Sequence, residues 1–371
     1  MSFPIVSLDS ICRPRQWKTI SASNLLEEGY TVYGANGKIG FYSEFTHENP
    51  TVMITCRGAT CGNVNISEPK SYINGNAMAL DEIDSEYVDI DYLMYCLKNR
   101  GFNDVISGSA QPQITGQGLS KVKIPLPPLE TQKQIAAVLE KADQLRNDCK
   151  LMEQELNSLA QSVFIDMFGE KDKKDILSKH IRFITSGSRG WAKYYAESGP
   201  RFIRSLDVQM NHIGDKNQAY ILPPEGKETE RTKVHAGDVL LTITGSRIGR
   251  VACVPDNFGA AHISQHVSII RLKDTLLPEF LSFYMSLEGL GQRQIAKSQY
   301  GQTKPGLKLD HIKEFTVPRL KISQQKVFVD YMKKLEKLLS DNKKQSLELD
   351  LNFKALMSKA FKGELKLEAV A

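Results

Sequence analysis

Residues 125–169 read PLPPLETQKQIAAVLEKADQLRNDCKLMEQELNSLAQSVFIDMFG, and this stretch decides the fold. A proline-rich run leads to Thr131, a candidate N-cap. Apolar residues then recur in 3/4 alternation at Ile135, Val138, Ala142, Leu145, Cys149, Met152, Leu156, Leu159 and Val163. That is a heptad seam, with Leu139, Leu145 and Leu156 the residues best suited to face an intramolecular partner. No Gly or Pro interrupts it, and Gly169 offers a C-cap. The spacing predicts one helix of roughly 50 Å, longer than a globular core needs. Such a helix is expected to hold two things apart.

The rest of the chain repeats one plan. TVMITCRGATCGNV (51–64) aligns without a gap on DVLLTITGSRIGRV (238–251), each reading strand, Gly turn, Gly turn, strand. IPLPPLETQK (124–133) aligns likewise on VPRLKISQQK (317–326). A second long helix is predicted from about Ser323 to Lys362, with a seam at Met332, Leu335, Leu339, Asn342, Ser346, Leu349, Phe353, Leu356 and Ala360, closed by Gly363. A polar seam residue such as Asn342 fixes register at some cost in stability; the alternative is that it faces solvent. The order is therefore domain (1–124), helix (125–169), domain (170–317), helix (318–371). The expected fold class is α+β: two mixed domains, short strands and Gly/Asn turns in each, with the two long helices antiparallel as a coiled coil and the halves related by a pseudo-two-fold.

Composition bounds the function. The chain has 371 residues, a net charge of +5 and 41% apolar residues. No apolar run reaches the length of a membrane span, and the N-terminus lacks the apolar segment of a signal peptide. Six scattered cysteines without a C-x-x-C pair suggest reduced thiols, a cytoplasmic setting and no zinc site. Catalytic signals are missing. Gly34–Gly40 and Gly245–Gly249 lack the Lys-Ser/Thr of a phosphate loop and run into strands. His262 and His266 sit in a strand-like segment where their spacing does not converge on a metal. There is no G-x-S-x-G elbow and no Asn/Asp-Pro-Pro-aromatic tetrapeptide. The chain reads as a recognition protein, neither an enzyme nor a metal protein.

Its loops carry amide and basic side chains beside glycines. In the first domain these are Asn36, Lys38, Arg57, Thr60, Asn63, Gln111 and Gln113; in the second, Ser188, Arg189, Trp191, Lys193, Arg204, Arg247, Arg250, Gln299, Gln302 and Lys304. Arg, Asn and Gln match base edges, and Lys and Arg neutralise phosphates, so these residues are the candidates for contact with double-stranded DNA.

Several segments carry a family resemblance: IPLPPLETQKQIAAVLEKAD entering the first helix, SVFIDMFGE at its end, KALMSKAFKGEL closing the second, the loop GSAQPQIT, and FITSGSRGWAKYY with GPRFIRSLDV (183–208). The chain resembles the specificity (S) subunit of Type I restriction–modification systems. VPRLKISQQ departs from the PLPPLE pattern before the second helix. The resemblance implies a non-catalytic subunit whose two target-recognition domains each read half of a bipartite, asymmetric DNA site. The helices then set the gap and dock two modification (methyltransferase) subunits, with restriction (ATP-dependent translocase and nuclease) subunits joining. It also implies that S-adenosylmethionine, ATP and magnesium belong to those partners and no cofactor to this chain. A self-sufficient methyltransferase and a coiled-coil scaffold are the alternatives. Catalytic motifs would mark the first, and absence of DNA affinity the second.

Overall fold

The computed structural model describes residues 3–35, 37–108, 111–168, 173–301 and 305–367. In chain order the first half contains strands β1 (Ile5–Ser7), β2 (Arg13–Gln16), β3 (Tyr30–Gly34), β4 (Gly37–Tyr42), β5 (Val52–Thr55), β6 (Val64–Ile66), β7 (Tyr72–Ile73), β8 (Ala77–Asp81) and β9 (Lys123–Pro125), with helices α1 (Ile90–Arg100), α2 (Gly116–Ser120) and α3 (Leu129–Phe168). The second half contains β10 (Lys174–Ile176), β11 (Ile181–Ser186), β12 (Tyr195–Ile203), β13 (Tyr220–Ile221), β14 (Val239–Thr242), β15 (Val251–Cys253), β16 (Ala261–Ile263), β17 (Val267–Leu272) and β18 (Thr316–Pro318). Its helices are α4 (Lys227–Thr232), α5 (Pro278–Ser286), α6 (Arg293–Ser298), α7 (Leu309–Lys313) and α8 (Ile322–Lys362).

The chain divides into two compact units: residues 1–150 with 344–371, and residues 151–343. Each long helix therefore contributes to both. The first unit holds a four-stranded sheet in the order β2-β8-β5-β6, a three-stranded sheet β4-β3-β7 and the pair β1-β9. The second holds β11-β17-β14-β15, β13-β12-β16 and β10-β18. The correspondence extends to sense: β3 with β7 and β12 with β16 are the parallel pairs, while the four-stranded sheets are antiparallel throughout. The duplication in the sequence is thus a duplication of topology.

Local chemistry explains the elements. VMIT in β5 and VLLT in β14 are buried at every position, as central strands covered on both faces require. Pro14 lies in β2, an edge strand, where a missing N–H costs no ladder bond. The Asp89 carboxylate accepts from the Tyr92 N–H at 2.8 Å to start α1, and Gly101 at φ 66° ends it. Gly363, at φ 73°, ends α8 as expected, with Glu364 N–H donating to the Lys359 carbonyl at 2.9 Å. At the other cap the expectation fails. α3 begins at Leu129, so Thr131 lies inside the first turn and is not the N-cap. The Pro127-Pro128 pair presets the backbone, and the Gln132 N–H already donates to the Pro128 carbonyl at 3.1 Å. Gly169 lies outside the described residues.

Within each unit the long helices run antiparallel. In the first, Ile135, Ala136 and Leu139 share a core with Met357 and Ala360, and Arg146 pairs with Asp350 further along. In the second, Ala160, Phe164 and Phe168 pack with Phe328, Met332 and Leu335, and Glu153 pairs with Lys343. The Phe164 ring lies 5.3 Å from Phe328 and 5.5 Å from Tyr284. Each such buried ring contributes on the order of 1.5–3 kcal/mol.

The seam of α8 is as predicted: Met332, Leu335, Asn342 and Ala360 are buried and Leu339, Ser346, Leu349, Phe353 and Leu356 half-buried. Asn342, at 4% exposure, belongs to it. The seam of α3 needs correction. Ile135 and Cys149 are buried and Ala142 and Leu156 half-buried, but Val138, Leu145, Met152 and Leu159 are 40%, 48%, 50% and 38% exposed. The intervening seam positions are instead Leu139, Arg146, Glu153 and Ala160, so the 3/4 alternation runs in the opposite phase. Two of those positions are charged. Arg146 and Glu153 occupy a seam because Asp350 and Lys343 answer them, at 2.7 and 3.5 Å, and the Arg146 guanidinium also covers the Phe353 ring. Their apolar neighbours are left outward.

Candidate nucleic-acid interface

In the first unit, the β5–β6 connection is a tight loop with Gly58 and Gly62 at φ 89° and 95°, where a side chain would be strained. Gly62 N–H donates back to Thr55 (2.8 Å) and Asn63 N–H to Thr60 (3.0 Å). A second loop is stitched to it. Gly58 N–H donates to Pro112 (3.1 Å), Ile114 N–H to Cys56 (3.0 Å), and Ser107 and Gln113 exchange backbone bonds at 2.9 and 2.8 Å. A third loop joins through the Ala35 carbonyl, which accepts from the Thr55 hydroxyl at 2.6 Å and the Thr60 hydroxyl at 3.5 Å. Lys38, Arg57, Thr60, Gln111 and Gln113 thus come together at one end of this unit, Thr60 half-buried and the others exposed. Tyr33, Lys38, Thr60, Asn63 and Asn65 line a cleft of about 480 Å³ there. Lys38 is paired with Glu68 at 2.5 Å, which raises the lysine and lowers the carboxyl from their ordinary pKa values.

The second unit builds the same frame. Gly245 and Gly249 both have φ 90°. Gly249 N–H donates to Thr242 (2.9 Å), Gly245 N–H to Pro305 (3.3 Å), Leu307 N–H to Ile243 (2.9 Å), and Tyr300 and Gly306 exchange bonds at 3.0 and 2.9 Å. These backbone bonds, with Arg250 N–H donating to Arg247 at 3.3 Å, repeat those of the first unit, carrying Arg247 and Arg250 where the first carries Thr60 and Asn63. Gln299 is exposed beside Tyr300. Arg189 and Lys193 are exposed on the neighbouring loop, Lys193 over the Tyr194 ring. Asn36, Gln302 and Lys304 lie outside the described residues.

Three candidates are corrected. Trp191 is 3% exposed and packs on Phe202, so its indole is core. Ser188 is 5% exposed, with its hydroxyl against the Arg231 guanidinium at 3.1 Å. Arg204 grips Asp207 through two 3.0 Å bonds and the Asn217 carbonyl through a third at 2.6 Å, so it organises a loop and has no free fork for a base. All three lie in the segment 183–208, where glycine-flanked polarity on the page hides what folding buries.

The structure also adds residues. Val208 and Ile213 bridge across a short hairpin that brings Gln209 to Arg250 and the Leu206 carbonyl to Arg247, the latter at 3.1 Å. Gln209 carries no glycine beside it and was not singled out. The available signal was Asn211, a turn residue that takes φ 59°. His262 is buried against Thr232 and Trp191, and His266 bonds the Thr244 hydroxyl. Among the described residues no three His, Cys, Asp or Glu side chains converge as metal ligands, and no helix is long and apolar enough to cross a membrane.

A family model described as "Type I restriction modification DNA specificity domain" matches residues 3–161 and again 165–349, one match for each half of the repeat. The chain belongs to this family. It is 32% identical to the Type I restriction enzyme EcoprrI specificity subunit of Escherichia coli over 146 residues, 38% of this chain and 36% of that protein. It is 26% identical to the MjaIX specificity subunit of Methanocaldococcus jannaschii over 348 residues, 86% of this chain and 78% of that one. The fold is that of the S subunit of a Type I restriction–modification system from M. genitalium, with a TM-score of 0.63, 15% identity and coverage of 97% and 96%. Members of the family are specificity subunits and not catalysts.

Proposed function

We propose that this chain is the DNA-reading subunit of a Type I restriction–modification complex, with residues 1–124 and 170–317 each reading one half of a bipartite site and 125–169 and 318–371 setting the gap. The observation that carries this reading is one hydrogen-bonded loop frame built twice with different side chains on it: Thr60 and Asn63 in one copy, Arg247 and Arg250 in the other. A conserved frame with changed tips is what two half-sites of unlike sequence require, because hydroxyl and amide groups and guanidinium groups match different base edges.

The helices supply the partner surface. Leu145 and Leu338 are 48% and 56% exposed and stand at equivalent places in the repeat. Two equivalent apolar points suit two copies of one partner, the modification subunit. S-adenosylmethionine, ATP and magnesium then belong to the modification and restriction subunits. The test is to assemble the chain with its methyltransferase subunit and sequence the methylated DNA. A single bipartite motif that disappears when this chain is omitted supports the proposal; methylation that does not depend on this chain defeats it.

A further inference from the structure

Among the described residues, the second unit carries residues 204–214 where the first carries the short turn at Ala35, whose carbonyl accepts from Thr60 as that of Leu206 accepts from Arg247. Residues 204–214 form a hairpin fixed at many points. The Asp207 carboxylate is 2% exposed and holds Arg204; Gly214 N–H donates to the Asp207 carbonyl at 2.8 Å, and Gln209 N–H to the His212 carbonyl at 3.0 Å. At the tip, Asn211 N–H donates to the Val251 carbonyl at 2.8 Å. Its side chain is clamped on α5, donating to the Ser286 hydroxyl at 3.0 Å and accepting from the Ser282 hydroxyl at 2.9 Å. Arg201 reaches under the hairpin to the Gly214 carbonyl and to Asp215.

This mounting aims two groups at the arginine loop. The Gln209 amide is oriented by donating its Nε2 to the Leu206 carbonyl at 2.7 Å, and its Oε1 accepts from Nη1 of Arg250. Arg247 is tethered by one N–H to the Leu206 carbonyl, at 3.1 Å. Each tether uses one nitrogen of the guanidinium. Among the described residues nothing bonds the Arg250 Nη2, which leaves that edge for another acceptor, and the bond to Gln209 restricts the guanidinium before any ligand arrives. Leu206 and Met210, 39% and 42% exposed, flank the pair and keep the surroundings apolar. A planar two-donor fork held in a fixed plane matches the O6 and N7 acceptors of guanine.

We infer that Arg250 reads a guanine in the half-site of the second unit, and that Gln209 is its positioning residue. This rests on the reading of the chain as a DNA-specificity subunit. The first unit has Asn63 at the equivalent place, whose amide complements adenine and not guanine, so the two half-sites differ at this point.

The test uses the chain assembled with its methyltransferase subunit, reading methylated motifs from genomic DNA for the parent, Gln209→Met, Gln209→Glu and Arg250→Ala. Gln209→Met keeps the size and loses the acceptor; Gln209→Glu keeps an acceptor for Arg250. Arg250→Ala is expected to abolish a guanine preference at one position of one half-site. Gln209→Met is expected to weaken the same preference about tenfold, and Gln209→Glu to retain it. The other half-site stays unchanged in all three. A Gln209→Met complex with an unaltered motif, or with methylation reduced evenly and no change of base preference, overturns the assignment while leaving the bipartite reading intact. A parent complex without a bipartite motif overturns both.

Discussion

Gln132 and Gln325 make the same three hydrogen bonds in the two units. Gln132 accepts from Asp89 N–H at 2.9 Å and donates to the Tyr87 and Pro127 carbonyls, both at 2.8 Å. Gln325 accepts from Leu277 N–H at 2.8 Å and donates to the Thr275 and Leu320 carbonyls at 3.3 and 3.0 Å. They are 0% and 1% exposed. Each ties the first turn of a long helix to the N-cap of a short one. Replacing Gln132 by Leu leaves the buried Pro127 carbonyl and the part-buried Asp89 N–H and Tyr87 carbonyl without their partner, an expected loss of about 2–3 kcal/mol. Amide exchange across Ile90–Arg100 is the readout, and protection equal to the parent's would show the glutamine to be dispensable.

Arg146 fills a seam position because Asp350, Asp143 and the Phe353 ring receive it. Arg146→Ala is expected to cost about 1–2 kcal/mol, through lost packing as well as lost charge. The double variant Arg146→Ala with Asp350→Ala is expected to cost less than the two single losses added together. A thermodynamic cycle on urea unfolding with no coupling between the two positions would refute the pairing.

Asp175 receives two nitrogens of Arg319 and one of Lys179, at 2.6, 2.9 and 2.9 Å. Hydrogen bonding from Arg319, then from Lys179, holds its carboxyl far below the usual carboxylate range. A lowered folded-state pKa stabilises the fold above the unfolded pKa, and that stabilisation fades as pH falls. The parent is therefore expected to exceed Asp175→Asn in stability by a constant margin above about pH 5, shrinking toward pH 2. Thermal melts across that range check it; a margin independent of pH would contradict the assignment.

Leu145 and Leu338 are exposed in this chain, so Leu145→Glu and Leu338→Glu are expected to leave its melting temperature within a few degrees of the parent's. Co-purification with the methyltransferase subunit is expected to fall for each single variant and to vanish for the double. Undiminished assembly by the double variant would place the docking surface elsewhere.

Arg247 stands on the frame of the second unit. Arg247→Ala is expected to alter or weaken recognition at that unit's half-site alone, by roughly 1–3 kcal/mol. Methylome sequencing with equal loss at both halves would assign the residue to phosphate contact or to structure.

The duplication was legible in the sequence because aligned glycines mark backbone that only glycine adopts comfortably: Gly58 and Gly62 foretold Gly245 and Gly249. The α8 seam was legible because the 3/4 alternation of Met332, Leu335, Leu339, Leu349, Phe353 and Leu356 falls on residues that are buried or half-buried. The α3 seam was not. Its sequence offers two interleaved apolar stripes, and the choice falls to Arg146 and Glu153, whose burial depends on Asp350 and Lys343 some 200 residues away. Gln209 was hidden because its role depends on Arg250, 41 residues on, and Trp191 was open to misreading because nothing beside it in sequence foretells its packing on Phe202.

The compact unit built on residues 1–150 is closed by residues 344–371. Met357 and Ala360 are part of the same core as Leu8, Leu93 and Leu139, while residues 151–343 form their unit without a break. On the ribosome residues 151–343 can therefore close first, and the unit that contains Leu8 and Leu93 must wait, its apolar face open, until the C-terminal part of α8 emerges. A premature stop before Met357 would thus be felt at the N-terminus, as a nascent domain that never seals and falls to proteases.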